Sequence, residues 1–487
     1  MDHLFRPARD LSGWPRLPVI TREAMVATSH PLATRAGLRA LEAGGNAVDA
    51  ALAAAAMLTV CEPGHNGIGG DAFALLWWDG ALHGLNGSGR SPAAPDDLSV
   101  DRYGPRSVTV PGAVRAWADL ADRFGRLGLD AALAPAAEAA ERGVAATARV
   151  ASHWGLAQQR APSPAPQPGE VYRLPELGAT LRRLAESGPD ALYTGPVAEA
   201  IASASWLDVS DLAAHRTEWV EPLRQAYRDV EVCELPPNGQ GAAVLVALGI
   251  AEELDLGLHG EIEAVKLALD WAARAIGDAP VELPDVAGLR ARIRPDAALD
   301  AEVWPRSGTT YLCAVDADRN AVSLIQSTFD HFGSGVVAGA TGVVLQNRGS
   351  SFSEEDGHPN QLAPSKRPFH TIVPGVLLRD GGLLGPFGVM GGHMQAQGHV
   401  QVVRNLVDRG LDPQGALDRA RFRFDGGRTV ALEPGLWAEA DELRARGHDV
   451  VLAEEPRKFG VGQVILVHEE SLAGGSDGRG DGYAGGL

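Results

Sequence analysis

The sequence predicts a layered α/β protein of the α+β kind, built on large, mostly antiparallel sheets. Three observations carry this. Helical patterns dominate residues 112–224 and return after Gly241 to about Leu299. After Arg306 the chain changes to short β-type runs separated by turns, before a helix resumes near Gln395. The length of 487 residues, with 45% hydrophobic and 22% charged, fits either several globular units or one large α/β domain, and excludes a wholly disordered chain.

The elements follow in order. Residues 1–24 are irregular and rich in Pro and Arg, which predicts an arm over the surface. Met25–Ser29 reads as a short strand. His30-Pro31 opens a helix over about Ala33–Glu42, and Gly44-Gly45 ends it because Gly takes a left-handed cap cheaply. Asn46 can cap the next helix, Ala47 to about Thr59. A Gly-rich loop, Cys61–Asp71, leads into a buried strand, Ala72–Trp78, and Asp79-Gly80 is a hairpin turn. The mostly helical stretch carries a Pro/Gln/Ala linker at Ala161–Gly169, and Val230–Leu235 reads as a strand before Pro236-Pro237-Asn238-Gly239-Gln240-Gly241. Tyr311–Val315, Ala321–Gln326, Gly335–Val337, Gly342–Gln346, Thr371–Arg379 and Leu383–Val389 are the β-type runs; a helix spans about Gln395–Asp408. The Gly/Asp-rich tail, Gly474–Leu487, is expected to be disordered. No internal repeat is visible.

Charge narrows the partners. Lys+Arg is 43 and Asp+Glu is 62, a formal net charge of −19. That argues against nucleic acid, whose binding rests on neutralising phosphates, and against polybasic membrane docking. Cys61, Cys233 and Cys313 lie far apart and form no CxxC, so free thiols in a reducing compartment are expected. With no apolar leader at Met1–Pro7 and no run of about 20 apolar residues, a cytoplasmic protein is expected.

Most apparent motifs fail on context. Asp316–Asn320 begins like a calcium loop, but Ala321 stands where Gly is needed and Ser327 where Glu is needed. Gly474-Gly475-Ser476-Asp477-Gly478 matches G-x-S-x-G without the strand and helix that a nucleophile elbow requires. The Gly64–Gly70 loop has no Lys-Ser/Thr, and there is no HExxH; no metal site or cofactor is indicated. One constellation stands out: Ser307-Gly308-Thr309-Thr310-Tyr311, where the helical half gives way to strands. If the bond before Thr309 is cut, the new α-amine has a pKa near ~7.7–8.0 and can act as base to the Thr hydroxyl. Alone, the same residues also suit a polar turn before a strand.

In order along the chain come His30-Pro31-Leu32-Ala33, Gly44-Gly45-Asn46-Ala47-Val48-Asp49-Ala50-Ala51, Gly67-Ile68-Gly69-Gly70-Asp71-Ala72-Phe73 and Thr109-Val110-Pro111-Gly112. The second half has Thr309-Thr310-Tyr311, Val315-Asp316, Asn320-Ala321-Val322, Phe332-Gly333-Ser334-Gly335, Pro364-Ser365-Lys366-Arg367-Pro368 and Gly391-Gly392. In this order, from about Ala27 to Leu466, the chain resembles a γ-glutamyltranspeptidase (glutathione hydrolase) proenzyme of the N-terminal-nucleophile hydrolases. The resemblance implies an αββα sandwich and self-cleavage at Gly308–Thr309. It implies subunits 1–308 and 309–487 that stay associated as one intertwined unit; a homodimer of such heterodimers is the larger assembly it allows. Thr309 would form an acyl-enzyme with a small-molecule amide, such as the γ-glutamyl group of glutathione, and release it to water or an amine without a cofactor. Ser327 matches a second hydroxyl that bonds the nucleophile, Gly391 and Gly392 match an oxyanion-hole pair, and Arg90 matches an arginine for the substrate carboxylate.

The departures matter. The family places an acidic residue before a Phe-Ser pair to bind the substrate α-amine; here Ser351 precedes Phe352-Ser353. The family's Ser-Ser pair is replaced around Phe369-His370-Thr371, and Pro-Pro-Ser-Ser-Gly-Gly becomes Pro236-Pro237-Asn238-Gly239-Gln240-Gly241. Arg348 could add a positive charge, so Arg348, Ser351 and His370 join Arg90 as candidate substrate-binding residues. The nucleophile set is kept and the ammonium clamp is lost. The readings that follow are a γ-glutamyl-type amidohydrolase, an acylase for a dicarboxylic (glutaryl-type) monoamide without an α-amine, and a non-catalytic homologue.

Overall fold

The computed structural model describes residues 16–303 and 309–487. Two seven-stranded sheets stack face to face. One runs, strand by neighbouring strand, Tyr483–Gly486, Met25–Thr28, Thr310–Val315, Ala321–Ser327, Asp71–Trp78, Ala81–Gly87 and Glu218–Val220. The other runs Val19–Thr21, Leu472–Ser476, Val461–Val467, Gly382–Met390, Gly375–Arg379, Val230–Glu234 and Leu223–Tyr227. Every pairing in both is antiparallel.

Side-chain alternation builds the layers. Along Thr310–Val315, Tyr311, Cys313 and Val315 point between the sheets, where they meet Phe73, Ile325, Val376 and Ile465. Leu312 and Ala314 point the other way, against helix Ala47–Cys61. Helices Gly241–Ala251, Gly257–Ala275 and Met394–Val407 cover the outer face of the second sheet through Val232, Leu377, Phe387 and Val464. The result is a four-layer αββα sandwich. Helix Ala47–Cys61 is buried along its whole length. Asn46 starts it through a reciprocal cap: its side chain accepts from Val48 N and Asp49 N, and Asp49 accepts from Asn46 N. Among the described residues no helix is long and apolar enough to cross a membrane.

The structure corrects several expectations. The tail is ordered: Leu472–Ser476 and Tyr483–Gly486 are strands, one in each sheet. Its glycines serve close packing rather than flexibility; a Cβ on Gly474 would stand 2.1 Å from Met25 Sδ, and one on Gly482 would stand 1.8 Å from Thr28 O. Within the N-terminal arm, Val19–Thr21 forms an edge strand. Gly335–Val337 and Gly342–Gln346 are not strands; Val337 and Val344 share one isolated bridge around a tight turn. The helical run does not continue to Leu299, because Pro280, Pro284 and Pro295 interrupt it and leave only Val286–Arg290 helical. Thr371–Arg379 is a strand only from Gly375, since Val373 N donates to the Gln395 side chain and Pro374 has no N–H.

Candidate active site

Thr309 sits at the start of the central strand Thr310–Val315 and is 1% exposed. Thr310 pairs with Gln326, so continuing the register sets Thr309 beside Ser327 at the end of the neighbouring strand. Gln395, in the first turn of helix Met394–Val407, donates from Nε2 to Thr309 Oγ1 at 3.0 Å. Its Oε1 is fixed in turn by Val373 N at 3.1 Å. Gly308, the other half of the expected cleavage bond, lies outside the described residues.

Gly391 and Gly392 follow the strand Gly382–Met390 with φ of 129° and 64°. Both values lie in the region that only glycine enters easily. Their carbonyls are pinned: Gly391 O accepts from Met394 N, and Gly392 O accepts from Gln395 N and Gln240 Nε2. Among the described residues neither glycine N–H has a backbone acceptor. Backbone N–H groups on a pinned turn are the kind of donor that stabilises a tetrahedral oxyanion. A cavity of about 300 Å³ opens on Thr309 and Gly391, walled by His65, His153, His331 and Arg149.

Behind Ser327 lies a buried polar network. Arg348 donates from Nη2 to Ser327 Oγ at 3.4 Å and from Nη1 to Thr371 Oγ1 at 3.2 Å, and its guanidinium lies 4.1 Å over the Phe329 ring. Burial pulls the Arg348 pKa down to about 9, with Asp71 and Asp330 acting upward. Asp71 Oδ1 accepts from Gly89 N, Gly112 N and Gln346 Nε2, and its Oδ2 meets His370 Nε2 at 3.1 Å. Burial pushes the Asp71 carboxyl up to about 7 against Arg348 and these donors. Burial and then Arg348 hold His370 well below the ordinary imidazole range. His370 is therefore a neutral core group.

The structure brings Thr309 and Gly391 together at the cavity. Gly392 adjoins them, and Ser327 stands beside Thr309 by register. It does not bring Arg90, Arg348, Ser351 or His370 to the described cavity lining. Arg90 is held by Asp278 and Glu218, each at 2.8 Å, and by Ser365 O. Ser351 Oγ lies 2.7 Å from the carbonyls of both Arg348 and Phe369, so it is turned to the backbone. Sequence reasoning missed Gln395 and the histidines. Gln395 follows the Gly391-Gly392 turn closely enough to have been suspected. His65 and His153 are 88 residues apart, and nothing local ties either to His331. Among the described residues His259, Glu263 and His448 gather ligand-type atoms, but Lys266 Nζ already stands 2.9 Å from Glu263 and 3.2 Å from His448. The ammonium supplies the positive charge that this buried group needs.

The fold and the strand-end threonine define an enzyme of the N-terminal-nucleophile hydrolase class. Residues 33–487 match the family described as Gamma-glutamyltranspeptidase, and the chain belongs to that family. It is 36% identical to the glutathione hydrolase-like YwrD proenzyme of Bacillus subtilis (strain 168), over 96% of this chain and 99% of that protein. It is 33% identical to the oxamate amidohydrolase proenzyme of Klebsiella pneumoniae, over 96% and 99% respectively. A crystal structure of cephalosporin acylase from Bacillus halodurans superposes with a TM-score of 0.92 at 40% identity, covering 99% of each chain.

Proposed function

We propose that this protein cuts itself before Thr309 and then hydrolyses a small amide through an acyl-enzyme on Thr309. The observation that carries this reading is the hydroxyl of a buried, strand-end threonine, oriented by Gln395 and facing a cavity with the Gly391 turn. In the reaction the α-amine of Thr309 takes the hydroxyl proton as Oγ1 bonds to the amide carbon. The Gly391 and Gly392 N–H groups receive the oxyanion. Collapse breaks the C–N bond, and the amine leaves with the proton. Water then attacks the ester carbon and gives its proton to the Thr309 α-amine; collapse breaks the C–Oγ1 bond, Oγ1 takes that proton back, and the carboxylic acid is released.

A specific observation favours an acyl group that needs no α-ammonium contact. Ser351, where the family has its acidic clamp, is spent on backbone carbonyls, and its hydroxyl carries no charge. This supports a dicarboxylic monoamide as substrate alongside the γ-glutamyl type; relatives named as an oxamate amidohydrolase and a cephalosporin acylase point the same way. The reading includes a cytoplasmic location, two associated subunits and a homodimer of those heterodimers.

The test is direct. Purified protein should run as two bands, the smaller beginning Thr-Thr-Tyr, and intact mass should show an acyl adduct on Thr309 during turnover of glutaryl or γ-glutamyl anilide. Thr309→Ala should stay as one chain and hydrolyse neither. An active enzyme that remains uncut before Thr309 would refute the mechanism.

A further inference from the structure

We propose that His65 is a positioning residue for the nucleophile: from the segment before the cut, its ring holds the main chain of Thr309 in place once the peptide bond preceding Thr309 is broken. The proposal rests on Thr309 as the acyl-forming nucleophile and adds a residue that keeps it oriented.

His65 is aimed from a fixed platform. Gly64 O accepts from Phe332 N at 2.9 Å, His65 O from Thr328 N at 3.3 Å, and Asn66 Oδ1 from Gln326 Nε2 at 2.7 Å. Three successive residues of this loop are thus bonded to the end of the strand Ala321–Ser327 and the segment just beyond it. Asn66 Nδ2 ties the same loop back to the end of helix Ala47–Cys61, through Leu58 O and Glu62 O, both at 3.1 Å. The strand Ala321–Ser327 is the one whose register sets Ser327 beside Thr309. The loop that carries His65 is therefore locked to the nucleophile's own neighbour.

The ring is buried, lines the cavity together with Thr309, and hydrogen-bonds to the Thr309 backbone. That bond favours the protonated imidazole, so the ring N–H is the donor and the Thr309 carbonyl accepts. Burial first, then His153, His331 and Arg149, hold the imidazole well below its ordinary range, so it serves as a neutral group near pH 7. His65 Nε2 and His153 Nδ1 share a hydrogen bond, and the His331 ring packs edge-on at 4.6 Å, which leaves the ring little room to turn. The carbonyl it holds belongs to the Thr309–Thr310 peptide, on the far side of Thr309 from the cut. Cleavage removes the tether on the amine side and leaves this one. Gln395 then holds the side chain of Thr309 and His65 its main chain, and the two together fix the direction of Oγ1.

The test separates positioning from packing, substrate contact and proton transfer. His65→Phe keeps a ring in the wall and removes the donor; His65→Met, a flexible apolar chain, repeats the measurement if Phe does not pack; His65→Gln restores an N–H donor. With saturating glutaryl p-nitroanilide, kcat in His65→Phe or His65→Met should fall about fivefold or more, as for loss of one neutral hydrogen bond, with KM little changed. His65→Gln should recover part of kcat. The acidic limb of the pH profile, which belongs to the Thr309 α-amine, should not move. Self-cleavage should slow as well, because the same hydroxyl attacks; a variant with the wild-type urea midpoint that stays uncut also supports the proposal. Unchanged kcat and unchanged self-cleavage, even with a lower urea midpoint, would make His65 a core ring. A loss confined to KM would make it a substrate wall, and a displaced acidic limb would make it a titrating catalyst. Each of these overturns the proposal. Failure of the underlying mechanism looks different: the wild-type protein itself is uncut before Thr309 and forms no acyl adduct there.

Discussion

Replacing Gln395 separates how the nucleophile is held from what it does. Its amide makes two buried contacts, Nε2 to Thr309 Oγ1 at 3.0 Å and Oε1 from Val373 N at 3.1 Å. Gln395→Leu keeps most of the side-chain volume and removes both. The Val373 N–H is then buried without a partner, which costs ~1–3 kcal/mol, and the neutral bond to Oγ1 contributes ~0.5–1.5 kcal/mol more. The loss to Thr309 corresponds to a roughly two- to tenfold slower acylation, if the bond orients the hydroxyl in the transition state. Gln395→Glu divides the two effects. A carboxylate oxygen still accepts from Val373 N, but the group facing Thr309 becomes an acceptor and draws the hydroxyl proton away from the α-amine. Gln395→Leu should therefore lower the urea midpoint more than Gln395→Glu, while Gln395→Glu should slow the acylation burst more than Gln395→Leu. Stopped-flow release of p-nitroaniline and equilibrium unfolding measure the pair. Bursts as fast as wild type in both variants would show that Gln395 is a core amide with no hold on the nucleophile.

Three further outcomes are expected. Gly391→Ala forces φ near 129° on an L-residue and sets its Cβ 3.1 Å from Gly460 Cα; kcat should fall about 10²–10³-fold with KM little changed, and near-normal kcat would remove this turn from the oxyanion hole. Glu62 accepts from Ser29 Oγ at 2.5 Å and is raised by burial to about 7 from 4.5. Between those values the folded state keeps a proton that the unfolded state has lost, so this group's contribution to stability falls as pH rises through the window. Glu62→Gln cannot titrate, so its unfolding midpoint relative to wild type should climb from pH 4.5 to 7.5; His30 and His331, lowered to about 4 by burial, work in the opposite sense but cancel in that difference. A flat difference would contradict the buried-carboxyl reading. Ser351→Asp directs a carboxylate at the carbonyls of Arg348 and Phe369; it should destabilise the protein by ~1–3 kcal/mol without creating a preference for γ-glutamyl over glutaryl anilide, and a clear gain in that preference would mean that residue 351 does reach the substrate.

What the sequence could disclose follows from the range of the forces involved. The Asn46 cap, the Asp79-Gly80 turn and the β-type run Tyr311–Val315 are local, and each was legible. The Gly/Asp-rich tail was misjudged because composition is silent about partners. Gly474 and Gly482 are small so that Met25 and Thr28 can come close, and that reason lies about 450 residues away in the chain. Thr309 and Gly391 could be matched to motifs because each sits in a short, distinctive stretch. Arg90 and Ser351 could be matched in the same way, yet position along a motif does not say where a side chain turns. Arg90 turns to Asp278 and Glu218, and Ser351 to the backbone. The His65, His153 and His331 wall has no local signature at all, since it exists only once two loops and the helix Ala148–Leu156 meet.

Cutting the chain before Thr309 is compatible with this fold because of where the new end would lie. The strand Thr310–Val315 is flanked on one side by Ala321–Ser327, from its own segment, and on the other by Met25–Thr28, from the segment before the cut. Its two faces are buried as well, Tyr311 and Cys313 between the sheets and Leu312 and Ala314 under the helices. Breaking one peptide bond at its tip removes none of these contacts. Each sheet interleaves strands from both segments, so separating the two would expose the interior of both layers. The new α-amine therefore gains freedom only at its last residue, where Gln395 and the neighbouring Ser327 confine the side chain. A nucleophile held by a central strand loses little orientation on cleavage, so little of the catalytic binding energy has to be spent on restoring it.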